Sequence, residues 1–148
     1  MILNGYSQTQ NENDASEQDV FLMAEISNTS ITTNSQTEVV YKLYVSHDVG
    51  ITSWTLESKP EFEGLKAVEV DITPLRVSKD SYKGKSYRSV VIAKHKLMSD
   101  EQGTYKLDPM TMNVVLNVPK KTPDESEPFE MVNVERLIAS QSISIEVK

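Results

Sequence analysis

Hydrophobic and polar residues alternate along much of this chain with a period of two. The plainest stretch is Thr37 to Val45: Val39, Tyr41, Leu43 and Val45 fall on one side of an extended backbone, and Glu38, Lys42 and the following Ser46 on the other. β-Branched and aromatic residues dominate it, and the polar run Thr32 to Gln36 before it reads as a turn. Upstream, Val20 to Ile26 fits a first strand, and Ile31 to Thr33 continues in short extended form. Downstream, Ile51 to Ser58 places Thr52, Trp54 and Leu56 on one face, where the tryptophan is expected to fill the core. Val68, Val70 and Ile72 alternate against Glu69, Asp71 and Thr73 as a half-buried strand, and Leu75 to Val77 extends it past Pro74.

Tyr82-Lys83-Gly84-Lys85 is the strongest tight-turn signal. Tyr87 to Met98 is the longest extended candidate, and both of its registers carry apolar residues, which predicts a central strand covered on both sides. Thr104 to Leu107, the alternating run Met110 to Val118, and Ser140 to Val147 follow, with Ile143, Ile145 and Val147 inward. Phe129 to Leu137 reads as either a strand or a short helix. The pattern predicts an all-β chain of about eight short strands, whose economical packing is an antiparallel two-sheet β-sandwich, with a closed barrel as the second choice. Residues 1–18 read as a polar linker or disordered leader, residues 19–148 as one domain, and Pro119 to Pro128 as a long polar loop.

Composition narrows the function classes. At 148 residues the chain is long enough for a real core, and with no cysteine it has neither disulfides nor thiolate chemistry. Fifteen Lys and Arg against 22 Asp and Glu give a net charge of −7, with the lysines scattered among acids, so nucleic acid is not an expected partner. No apolar run reaches the roughly 18 residues of a membrane span. His47, in a turn beside Asp48, and His95, between Lys94 and Lys96, read as ordinary surface histidines, and no metal, phosphate or nucleophile motif appears. Catalytic residues and cofactors are therefore expected to be none. Tyr82, Tyr87 and Tyr105 read as packing residues, with an exposed sugar-stacking platform as the alternative.

Several segments, taken in order, resemble one family. They are Asp19 to Ser27, Glu38 to Val45, Pro60 to Gly64, the strand end Lys96-Leu97-Met98, Gly103 to Pro109 and Ser142 to Val147. Together they resemble the BatD, or oxygen-tolerance, proteins associated with aerotolerance in Bacteroides, over residues 19–148. The chain departs at Ser35-Gln36-Thr37-Glu38, where the family often has Gly-Glu, and at Ser99, where it tends to have proline.

The resemblance implies an internal immunoglobulin-like domain of a longer, membrane-anchored periplasmic protein of the cell envelope. Its implied partners are proteins with von Willebrand A-type domains or tetratricopeptide repeats, and its implied role is non-catalytic interaction or scaffolding; the alternative is a carbohydrate-binding or adhesin-type envelope sandwich. A von Willebrand A domain holds a magnesium ion that a partner carboxylate completes. Glu61, Glu63, Asp100 and Glu101, in loops, are the candidate partner-binding residues.

Overall fold

The computed structural model describes residues 19–119 and 130–148; the expected leader over 1–18 and most of the expected loop over 119–128 lie outside them. The fold is all-β. In chain order the strands are β1 (Val20–Ile26), β2 (Ser30–Ile31), β3 (Gln36–Ser46), β4 (Gly50–Ser58), β5 (Lys66–Glu69), β6 (Val77–Tyr82), β7 (Lys85–Met98), β8 (Gly103–Leu107), β9 (Thr111–Pro119), β10 (Met131–Ala139) and β11 (Ile143–Val147). Among the described residues, eleven strands in three sheets replace the expected eight or so in two. The ambiguous segment before Ala139 is a strand, not a helix.

The largest sheet has the order β1-β3-β7-β5, with β6 also paired to β7. Its spine is β3 against β7, antiparallel from Gln36↔Met98 to Ser46↔Tyr87. Tyr41 faces Ala93 and Lys42 faces Val91, so Ile92 is an extra residue on β7. Such a bulge exchanges the two faces of a strand. That is why both registers of β7 carry apolar residues: Tyr87 and Leu97 have the same parity in sequence yet lie on opposite faces. The second sheet, β10-β9-β4, presents Met112, Val114, Leu116 and Val118 to the first, every one of them buried. These side chains meet Leu22, Val39, Tyr41 and Leu43 in one hydrophobic cluster, giving a sandwich-like arrangement.

A third sheet, β2-β11-β8, lies where β3 begins and β7 finishes, since Asn34 donates its amide to the Ser99 carbonyl at 2.8 Å. It feeds Ile31, Leu107, Ile145 and Val147 into the same cluster. Here β2 runs parallel to β11, and the extended segment is Ser30–Ile31, shorter than expected. The β6–β7 hairpin turns on Lys83 (φ 51°) and Gly84 (φ 82°). Two left-handed residues match the twist of the flanking strands, as the sequence signal required.

The alternation Val68, Val70, Ile72 does not mark a half-buried strand. Only Lys66–Glu69 is strand, and Val68 is 62% exposed because its neighbour across the sheet is Lys96, on the face that no other sheet covers. Alternation records the pleat of a strand but not which side acquires a second layer.

Leu116 and Leu137 provide a test of this layering. Leu116→Ala empties a fully buried site and is expected to cost about 3 kcal/mol in denaturant unfolding, whereas Leu137→Ala, at a side chain 67% exposed, is expected to change stability by less than about 0.5 kcal/mol. Equal effects would contradict the assignment of faces.

Candidate functional site

The two main sheets each end in strands whose outer edges are treated differently on the two sides of the molecule. On the β1/β10 side, the Gln141 side chain accepts from the Ala24 amide (3.1 Å) and donates to the Ala24 carbonyl (2.7 Å), so it stands in for a neighbouring strand. On the opposite side the edges are β4 in one sheet and β5 and β6, end to end along β7, in the other. Among the described residues, no strand pairs with the outer edge of β4 or of β6.

The inner faces of these edges diverge around a cleft. A bulge at Thr52 shifts the register of β4, so Ile51, Trp54 and Leu56, rather than Thr52, Trp54 and Leu56, face the buried Leu116, Val114 and Met112. Trp54 points inward and is nevertheless 37% exposed, which corrects the expectation of a core tryptophan. Among the described residues, no strand beyond β4 covers it. Near β6 the cleft encloses about 130 Å³ between Ile51, Trp54, Leu75, Val77, Arg88 and Val90. Leu75 (47%) and Val77 (70%) form an exposed apolar rim beside it. Further along β7 a separate cavity of about 290 Å³ lies between Leu56, Pro60, Glu69, Ile92, His95 and Met110.

Two cations mark the β6 end. Arg88 and Lys79 face each other directly in the β6–β7 ladder, on the inner side shared with Val77 and Val90. Arg88 donates through Nη2 to the carbonyls of Ser46 (3.2 Å) and Val49 (2.6 Å), while its buried Nε has no acceptor. Among the described residues neither cation forms a salt bridge. Asp48, next to Val49 in the β3–β4 turn, pairs with Lys85 at 3.9 Å. Two like charges directly opposite in a ladder destabilise it slightly.

His95 lines the separate cavity and is not the expected surface histidine. It is half-buried, its ring is 4.8 Å from that of Phe62, and its Nδ1 is buried without a partner. Burial holds its pKa below the ordinary histidine value; Glu69 opposes that effect and Lys59 adds to it. His47, in contrast, is exposed in the β3–β4 turn.

The four acids expected to bind a partner are all exposed: Glu61 and Glu63 between β4 and β5, Asp100 and Glu101 in the β7–β8 turn. Tyr105 ties their loops together. Its hydroxyl donates to the Glu101 carbonyl (2.8 Å) and also bonds the Ser99 hydroxyl (3.0 Å), while its ring packs on Gly64, where a Cβ would fall 2.8 Å from Cε1. Lys66 Nζ is 3.7 Å from Asp100 across the same junction. Among the described residues, no three of His, Asp, Glu or Cys gather as metal ligands.

The tyrosines considered for sugar stacking do not form an open platform. Tyr87 is buried, not exposed, and on the outer face of the large sheet it packs with Phe21 (5.4 Å, edge-on) and Tyr44 (5.9 Å, edge-on), while the half-buried Tyr82 lies against the same two rings at 5.1 and 6.2 Å. Phe21 and Tyr44 stack at 4.9 Å, so the rings occupy one another's faces.

No family model, curated protein or solved structure matches the chain. No helix among the described residues is long and apolar enough to cross a membrane. The cleft residues Val77, Lys79 and Arg88 had no distinguishing signal in the sequence, because their significance depends on which strands finish as edges.

Two outcomes test this geometry. Because the folded-state pKa of His95 lies below its unfolded value, the unfolded chain takes up the proton first; His95 therefore adds stability that is complete above about pH 6.5 and is lost as pH falls through the lower folded value. The unfolding midpoint of wild type should fall more steeply than that of His95→Gln between about pH 7.5 and 5.5; parallel curves would contradict the burial. Gly64→Ala, at φ +83°, is expected to destabilise the chain by about 2 kcal/mol, and by less when Tyr105 is already alanine. Additive costs would show that the two loops do not touch.

Proposed function

We propose that this chain is a non-catalytic protein-interaction domain and that its cleft between β4 and β6 is the binding surface. The observation that carries this reading is the combination, among the described residues, of unpaired edges at β4 and β6 with inward apolar side chains between them; on the other side β1 and β10 are edges too, and there Gln141 occupies the backbone of Ala24. An exposed edge is a template for another chain, and proteins that do not use one commonly cover, shorten or charge it. Leu75, Val77 and Trp54 add apolar surface at the same place.

The segments that resemble BatD proteins supply the context of the proposal. On that likeness the fold is of immunoglobulin-like type, and the domain works in the periplasm within a membrane-anchored envelope protein. Its partners are then von Willebrand A-type and tetratricopeptide-repeat proteins. The packed tyrosines give the alternative, carbohydrate binding, no flat exposed face to stack on. The loops carrying Glu61, Glu63, Asp100 and Glu101 offer carboxylates for a second contact with a partner's magnesium ion.

Capture from solubilised envelope of the source organism, read by mass spectrometry, tests the reading. The immobilised chain is expected to enrich von Willebrand A-type or tetratricopeptide proteins, and Val77→Glu on the exposed rim is expected to reduce that recovery at least about tenfold. Enrichment of neither class would overturn the assignment of partners, and undiminished recovery with Val77→Glu would remove the cleft. Recovery unchanged by EDTA and by alanine at all four acids would exclude the magnesium contact.

A further inference from the structure

We infer that the cleft accepts an extended strand from a partner protein, added to the free edge of β6, and that this strand must carry an acidic residue two positions from an aliphatic one. The inference rests on the interaction reading above and specifies the ligand of that same site. Three observations fix the chemistry. The backbone of β6 has an unpaired outer edge among the described residues, so an added strand extends the existing sheet by main-chain hydrogen bonds. Val77 and Lys79 are the inward-facing residues of β6 here, two positions apart. Across the ladder from Lys79 lies Arg88, its Nε buried and unbonded, and among the described residues no carboxylate is paired with either cation.

Each inward residue of an added strand faces its counterpart on β6. The residue opposite Val77 enters the apolar space bounded by Ile51, Trp54 and Leu75, which has room for about one aliphatic side chain. The residue opposite Lys79 meets an ammonium with no carboxylate partner among the described residues, and the Arg88 guanidinium, bonded to two carbonyls, lies one strand further in. A carboxylate there gains a charge-assisted hydrogen bond to Lys79 and the field of Arg88, while an apolar or basic residue leaves Lys79 without a partner. An inward lysine on an edge strand also discourages indiscriminate pairing. Here it has a directional consequence, because it admits a strand bearing an acid and rejects one that does not. The cavity is too small for most drug-sized ligands, and the unpaired backbone favours a peptide over an amphiphilic carboxylate.

The test uses a nine-residue peptide in which outward threonines alternate with inward valine, glutamate and valine, so that either strand direction satisfies the spacing. Trp54, the only tryptophan, reports binding by its fluorescence. The glutamate peptide is expected to bind at least about tenfold more tightly than its glutamine counterpart, and N-methylation of all the peptide's backbone amides, which removes the main-chain donors for either strand direction, is expected to abolish binding. Lys79→Glu, at an exposed position, is expected to reverse the preference toward a peptide with lysine in place of glutamate. No binding up to about 1 mM, or no discrimination between glutamate and glutamine, overturns the inference. So does a Lys79→Glu protein that binds every apolar peptide alike, since Lys79 would then be only a guard of the edge. A Trp54 signal that changes with protein concentration alone identifies a second copy of the chain as the occupant and equally overturns it. If the peptide arms fail while Val77→Glu still releases the captured partner, the interaction domain stands and only the strand-with-acid fails. If nothing is captured, both fall.

Discussion

Pairing of β3 with β7 places every other element of the large sheet. These are the two longest strands, and one face of their ladder supplies Val39, Tyr41, Leu43, Val90 and Leu97 to the common core. The extra residue at Ile92 divides that face into two stretches of β7. Before the bulge, the inward residues are Arg88 and Val90; after it, they are Ala93, His95 and Leu97. The residues on β7 that line the cleft and the separate cavity fall on both sides of the break. A regular β7 would turn either Arg88 or His95 out to the uncovered face.

The same pairing accounts for the asymmetry between the sides. β1 occupies one edge of β3, and a single glutamine from the link between β10 and β11 satisfies the outward backbone of Ala24. β7 needs a partner along its whole length and receives two short strands, with Asp71 to Arg76 between them. The result is a sheet edge whose inner side chains, Val77 and Lys79, reach beyond the layer formed by β4. The proposed binding surface therefore arises from incomplete closure of a sandwich rather than from elaborated loops.

Much of this was legible in the sequence, and the misreadings share a cause. Period-two alternation located β3, β9 and β11 with the correct inward residues, because those strands have one covered face and no irregularity in the buried part. The Lys83-Gly84 turn was legible because its backbone conformation limits the residues that fit. Trp54, Val68 and His95 were misjudged because local pattern does not encode sheet order, bulges or which face acquires a second layer. The four acids lie in loops, as expected, but their two loops are joined by Gly64 and Tyr105, a contact between distant parts of the chain. Arg88 and Lys79, separated by nine positions, became a pair only through the hairpin register.

Hydrogen–deuterium exchange of the chain alone and with its captured partner tests most directly whether the β4–β6 side is an open binding edge. Outward amides of β4 and β6 should exchange well ahead of those in β3, β7 and β9, and partner binding should slow β6 most, by at least about tenfold. Amides of β6 as protected in the free chain as those of β7, or protection on binding confined to the loops around Glu61 and Asp100, would contradict the account.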